Sequence, residues 1–257
     1  MSHVDQAILV LALTPAERCD SSIAIAASRA GAFGVLNLEF GASDEDVVEA
    51  LSRLDEHAGG NFGVLLDGVD TDLLALVLSL PLRQLDAVLL TSMFADAETF
   101  AQSVRTVKSA GLRALAVVTN GADAQRCADA DVDGLIAKGN EAAGWVGSET
   151  TFTLAQQIVH RLAVPVWLHG GMGLHTASAA LVAGAVGIVV DGQLLLARES
   201  RPTESVRRRL AAMDGSETEV VTAVGTRFRC YSRQDSGAAT RVRNPAANNS
   251  GIEFPLR

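Results

Sequence analysis

The sequence predicts an α/β fold: a (β/α)8 TIM barrel over residues 1–200, followed by a short C-terminal extension over residues 201–257. Three observations carry this. Eight short apolar runs begin near residues 7, 33, 62, 87, 114, 134, 165 and 187. Their mean spacing, (187−7)/7 or about 26 residues, suits one βα unit. Helix-forming stretches alternate with these runs, which implies parallel pairing through right-handed crossovers. The last two runs each enter a glycine turn, His169-Gly170-Gly171-Met172-Gly173 and Asp191-Gly192-Gln193. Two adjacent turns of this kind after strands 7 and 8 are the expected phosphate-binding end of such a barrel.

Each element has its own justification. Ala7 to Leu13 is a continuous apolar run, as expected of a strand buried on both faces. Asp20 or Ser21 can cap a helix through Ala30, which Gly31 ends. Phe33–Leu38 is the second strand, and Ser43-Asp44-Glu45 opens a helix to about His57. Phe62–Leu66 is followed by a helix over Leu73–Leu80 that stops at Pro81. Ala87–Leu90 precedes a helix from Asp96 to Ala110, and Ala114–Val118 precedes one from Ala122 to Ala130. Gly134–Ala137 leads into a longer loop and then a helix over Phe152–Leu162. Pro165–Leu168, a helix from Leu174 to Gly184, and Gly187–Val190 complete the series. Strand 1 should end at Leu13-Thr14-Pro15, on the same rim as Gly170. A competing topology is an open doubly wound sheet. Gly171-Met172-Gly173-Leu174-His175-Thr176 is a partial G-x-G-x-x-G, and Asp191 stands where a ribose-binding acid would. Against it, the third glycine is Thr176, and the motif falls at the end of the repeat series rather than its start.

After residue 200 the rhythm changes. Ser205–Met213 reads as a helix, and Glu219–Val224 with Arg227–Tyr231 as a hairpin around Gly225. Asn244–Gly251 is turn-rich and reads as linker. The apolar ending from Ile252 to Arg257 is read either as a chain that continues into something longer or as an ordinary frayed terminus.

Composition narrows the function. A net charge of −9 argues against nucleic acid as a partner. There is no apolar run long enough for a membrane span and no basic leader at the N-terminus. Cys19, Cys127 and Cys230 are odd in number, far apart and without metal spacing, so a reduced, cytoplasmic setting is expected, with no metal. Hydrolase, zinc and P-loop motifs do not occur.

The working face of such a barrel is the C-terminal end of its strands. The polar residues there are Thr14, Asn37, Glu39, Asp67, Thr91, Ser92, Thr119, Asn120, Lys138, Asn140, Glu141, His169 and Asp191. Lys138, one of two lysines in the chain, can meet a planar cofactor or a phosphate, or simply pair with Glu141 or Asp67. His169 can bond a cofactor or cap its strand. Asp191 would hold a backbone N–H or pair with Lys138 or an arginine, because a carboxylate repels phosphate. Gly170, Gly171, Gly173, Gly192 and Gln193 form the candidate phosphate cradle, helped by the helix N-terminus. Gly139 and Trp145 follow Lys138 in the long loop, where the indole can stack on a ligand or cover the barrel mouth.

The segment Val132-Asp133-Gly134-Leu135-Ile136-Ala137-Lys138-Gly139-Asn140-Glu141-Ala142-Ala143-Gly144-Trp145-Val146-Gly147 resembles the G-x-D-x-(I/V)-x-x-x-G-x-E-A-G-G-H-x-G stretch of nitronate monooxygenases. Flavin-dependent enoyl-acyl carrier protein reductases share that stretch. Pro165-Val166 through Gly170-Gly171, and Gly184-Ala185 through Gly192-Gln193 to Glu199-Ser200, are similar to the family's FMN-phosphate segments. Ala30-Gly31-Ala32-Phe33-Gly34 resembles its A-G-G-L-G turn. The resemblance implies an FMN-binding barrel, with NAD(P)H as reductant and a small-molecule or carrier-bound acyl substrate. Similar barrels occur within polyketide and polyunsaturated fatty-acid synthases, so other synthase domains are implied partners, and a homodimer is compatible. The departures are specific. The family His is Trp145, which has no basic nitrogen. The family Asn after strand 3 is Leu65, the Thr of the last phosphate turn is Gln193, and A-P-M on strand 1 is Leu11-Ala12-Leu13. On these residues Lys138 and His169 are the catalytic candidates. The alternative is a catalytically inactive barrel kept as a structural or docking module. A sugar-phosphate barrel enzyme ranks behind both, for want of a Lys–carboxylate pair on the early strands.

Overall fold

The computed structural model describes residues 9–16, 18–223 and 226–231. Eight parallel strands close into a barrel in the order β1 (Leu9–Leu13), β2 (Phe33–Asn37), β3 (Phe62–Asp67), β4 (Leu85–Thr91), β5 (Arg113–Val118), β6 (Gly134–Lys138), β8 (Val166–His169) and β9 (Gly187–Val190). Pairing of β1 with β9, from Leu9 opposite Gly187 to Ala12 opposite Val190, shuts the sheet and rules out the doubly wound alternative. All eight strands run the same way, so Thr14, Gly170 and Asp191 share one rim, as expected. No helix among the described residues is long and apolar enough to cross a membrane.

The helices are α1 (Ser22–Arg29), α2 (Asp44–His57), α3 (Thr71–Ser79), α4 (Ala97–Ser109), α5 (Gly121–Asp129), α6 (Thr151–Ile158), α7 (Leu174–Val182) and α8 (Glu204–Ala211). Their starts follow from capping. Ser43, Asp70, Asp96, Asn120 and Thr150 each accept a bond from a backbone N–H in the first turn that follows. At α1 the two expected candidates divide the work. Ser21 occupies the cap position without a side-chain bond, while Asp20 Oδ1 accepts from Ser22 N at 2.9 Å. Helix α6 ends at Ile158, short of the expected Leu162.

Strand alternation divides the apolar residues into two layers. Val64, Leu66, Val88 and Leu90 face the helices, whereas Leu65, Ala87 and Leu89 point into the barrel. The inward layer holds Trp167, opposite Ile136 on β6 and Gly187 on β9. A Cβ on Gly134 would stand 2.7 Å from the indole and one on Gly187 2.6 Å from it, so glycines on both neighbouring strands make room for this ring.

Three features were not anticipated. A short strand, β7 (Gly144–Val146), lies inside the long loop after β6, and a 3-10 turn covers Gly192–Leu196. The hairpin of β10 (Thr218–Ala223) and β11 (Thr226–Tyr231) is joined to that loop, because β11 pairs antiparallel with β7. Ala7 and Ile8, the hairpin tip at Val224 and Gly225, the Asn244–Gly251 linker and the Ile252–Arg257 ending lie outside the described residues.

Candidate active site at the barrel mouth

Lys138 is the last residue of β6 and stands opposite His169, the last of β8. Both are buried, at 6% and 3% exposure. Asp191 follows β9, and its Oδ2 lies 2.9 Å from His169 Nε2. Burial alone would push the Asp191 carboxyl up. The His169 pairing outweighs that, assisted by the Gly192 N–H and the Lys138 charge, and holds it well below the usual carboxylate range. The aspartate therefore pairs with His169 rather than with an arginine, and Lys138 acts on it through space. The Lys138 ammonium makes no hydrogen bond or ion pair with the described residues. The expected partner Glu141 is engaged elsewhere: its Oε2 accepts from Thr151 N and Oγ1, both at 2.9 Å.

Thr151 is a hub that sequence reasoning missed. Its hydroxyl also lies 3.2 Å from His169 O and 3.1 Å from Gly170 O, tying the start of α6 to the end of β8. Gly139 belongs to the same junction. Its N–H donates to His169 O at 2.9 Å, and a Cβ there would stand 2.1 Å from Thr151 Oγ1. The sequence signal was faint, since a threonine at a helix start looks like any other cap.

The glycine turns lie beside this group. Gly170 and Gly171 have φ of 118° and 64°, in the region that favours glycine. Gln193 Nε2 donates to Met172 O at 2.8 Å and staples the two turns together. The Gly173 N–H donates to Thr176 Oγ1 at 2.7 Å, so that donor is already used within the turn. Gly171, Gly173, Gly192 and Gln193 are exposed, and a Cβ on Gly173 or Gly192 would meet nothing within 4 Å. The turns and the start of α7 thus present an open surface of backbone dipoles, with room for a phosphate.

The opposite side of the mouth is acidic. Thr91 Oγ1 donates to Glu39 Oε1 at 3.1 Å, and Asn37 Nδ2 donates to Glu39 Oε2 at 3.3 Å. Asp67 ends β3 nearby. Burial, reinforced by the charges of Glu39 and Asp70 and opposed by the Val69 and Gly68 N–H groups, pushes its carboxyl up to about 6. Thr14 Oγ1 accepts from Asn37 N at 2.9 Å. Ser92 bonds Val117 O, Asn120 caps α5 and Asn140 Nδ2 bonds Ser148 O, so these three are structural.

An aromatic cap stands over the mouth. Trp145 on β7 packs edge-on against Phe94 and Phe228, with ring centroids 5.2 and 4.9 Å away, and tilts on Phe40 at 6.4 Å. Phe40 itself meets Phe228 edge-on at 5.9 Å. A Cβ placed on Gly144 would lie 3.7 Å from Lys138 Nζ and 3.8 Å from Phe40, so the ammonium sits directly beneath the cap. The ring contributed by β11 could not be foreseen, because nothing local links residue 228 to residue 145.

The family model for nitronate monooxygenases matches residues 83–236. This chain belongs to the nitronate monooxygenase family. A search of curated proteins gave no match. Among solved structures, this family member is similar to FabK from Thermotoga maritima, with TM-score 0.82 and 22% identity over 93% of this chain and 76% of that one. It is similar to the nitroalkane oxidase of Streptomyces ansochromogenes, with TM-score 0.73 and 20% identity over 92% and 79% of the two chains. It also resembles the enoyl reductase domain of MlnA from the macrolactin cluster of Bacillus amyloliquefaciens, with TM-score 0.67 and 15% identity over 91% and 65%. At these identities the structural likeness speaks for the barrel, which the nitronate monooxygenase family match places among oxidoreductases.

Proposed function

We propose that this barrel is an FMN-dependent oxidoreductase of the enoyl-reductase kind, acting on a small or carrier-bound acyl thioester within a multidomain synthase. The observation that carries the reading is Lys138: a buried ammonium without a direct counter-ion among the described residues, beside the His169–Asp191 pair and next to two open glycine turns. The residues present suit the phosphate end of FMN. Gly170, Gly171, Gly192 and Gln193 with the start of α7 would hold it, and Thr176 keeps the Gly171–Gly173 turn in shape. When bound, the flavin would supply hydride transfer, with NAD(P)H as the reductant. Lys138 would stabilise negative charge developing at a substrate oxygen, and Asp191 would hold the His169 ring in one orientation. The likeness to the MlnA enoyl reductase domain supports this reading, and Trp145, whose indole offers no base, counts against nitronate oxidation.

A second reading, a non-catalytic module, is favoured by the aromatic cap lying against Lys138, where a ring would have to enter. Reconstitution separates the two. The purified chain is mixed with FMN, desalted, and followed in the flavin band as NADPH and then an enoyl thioester are added. Retained flavin, bleached by NADPH and restored by the thioester, is the expected result. A colourless protein after desalting points to the module.

A further inference from the structure

On the outer face of α1 lies an open groove of about 570 Å³, lined by Arg29 on α1, Arg53 on α2, and Arg198, Glu199 and Arg201 after the 3-10 turn. Four arginines and one glutamate line it, and Asp20 at its edge draws on both Arg53 and Arg201, leaving 4−2, or +2, on a chain whose net charge is −9. Arg29 is held in place, since its Nε donates to His57 O at 2.8 Å. Arg53 is loosely paired, 3.7 Å from Asp20. Arg198 and Arg201 form no ion pair among the described residues. Ile25, Ala26 and Ala30 of α1 give the groove an apolar side.

The adjoining cleft of about 460 Å³ makes a useful contrast. It shares Arg53 and Arg201 and adds Arg18, but Asp20, Asp46 and Glu49 balance them. Counted together, the two clefts hold five arginines and four acids, and the excess lies in the first groove, where Arg29 and Arg198 stand against Glu199. Arginines that outnumber the acids beside them leave guanidinium groups free to meet an anion. Arginine forks suit phosphate oxygens bidentately, and the volume is that of a small-molecule site.

We propose that this groove binds an organic diphosphate of nucleotide size, its phosphates on Arg198 and Arg201 and its apolar portion along α1. The site is distinct from the glycine turns and does not rest on the flavin reading.

ADP, pyrophosphate and adenosine are titrated calorimetrically against the full chain at low and high salt. ADP should bind with a Kd below ~1 mM, weaken as salt rises, and bind more tightly than pyrophosphate, while adenosine should not bind. The R198Q/R201Q variant should lose at least tenfold in ADP affinity with an unchanged circular dichroism spectrum. Saturating FMN should leave ADP affinity unchanged. Absence of ADP binding at ~1 mM, equal binding by the double variant, binding of adenosine as tight as ADP, or competition by FMN would each overturn the proposal. Apart from the FMN competition, none of these outcomes depends on whether FMN itself is retained.

Discussion

Replacing Trp145 with alanine should uncover Lys138 at a measurable cost in stability. The indole makes two edge-on ring contacts, at 5.2 and 4.9 Å, and a longer tilted one at 6.4 Å. Two edge-on pairs contribute about 1–3 kcal/mol together, and the apolar area of a half-buried indole adds about 1 kcal/mol more. A loss of about 2–4 kcal/mol lowers the melting temperature of a chain this size by about 5–15 °C. W145F, which keeps a ring at the same place, should lose less than half of that. The informative readout is chemical. With only Lys108 and Lys138 in the chain, an amine-acylating reagent reports on each by peptide mass. Lys108 has a side chain 32% exposed and should react in the folded wild type, while Lys138 should be protected. In folded W145A the rate at Lys138 should rise roughly tenfold, as expected when a local covering contact is removed. If Lys138 reacts as fast as Lys108 in the wild type, or stays protected in W145A, the cap does not control access to the ammonium.

Three further outcomes follow from the geometry. Because the folded Asp67 carboxyl is raised to about 6, chiefly by burial, the stability it allows below about pH 4 is lost as pH climbs through 6. Melting curves from pH 4 to 7 should show the wild type falling relative to D67N by roughly 1–2 kcal/mol, a figure reduced for solvent screening at this partly exposed site. Asp191 has the opposite sign: its depressed carboxyl stabilises the fold above about pH 4 and ceases to do so in stronger acid. D191N should therefore be less stable than wild type at neutral pH, and the gap should narrow on acidification; a gap that is constant with pH would count against the His169 pairing. Finally, G134A should lose about 1–3 kcal/mol by overpacking against Trp167 and regain part of it in G134A/W167L. G187A should not be rescued this way, because its Cβ would also stand 2.0 Å from the Leu9 carbonyl.

The barrel was legible because its signals are local and repeated. Most βα units carry an apolar run, a polar cap such as Ser43, Asp96 or Asn120, and often a closing glycine, so errors in one unit do not spread to the next. The rim residues Lys138, His169 and Asp191 were legible for the same reason, since each ends or directly follows a strand whose limits were clear. Their partners were not. Lys138 was weighed against Glu141 and Asp67, but Glu141 turns to the N-terminus of α6 and Asp67 lies by Glu39 on the acidic side. Such choices depend on side-chain direction across three strands, which periodicity does not encode. The β7–β11 pairing was hidden for a stronger reason: it joins segments more than eighty residues apart, and a three-residue strand of Gly-Trp-Val has no alternation to reveal it.

The proposed flavin site has two halves that depend on different parts of the chain. Its phosphate half would be backbone: Gly170 and Gly171 in left-handed geometry, the Gln193 staple, and the start of α7. It tolerates exchange of surrounding side chains, which is why Gln193 in place of threonine still leaves an open turn. The ring half would be made of side chains, Lys138 beneath and Trp145, Phe40 and Phe228 above, and Trp145 and Phe228 stand on the paired strands β7 and β11, which the bond from Arg229 to Asn140 O also ties together. The tryptophan that replaces a potential base is thus also the residue that binds the C-terminal hairpin to the mouth. A change at this position alters chemistry and closure together. Restoring the base as W145H should then separate them: if the cap alone limits flavin entry, W145H and W145A should retain FMN alike. If the missing base alone limits turnover, flavin retention should match the wild type while only W145H gains rate.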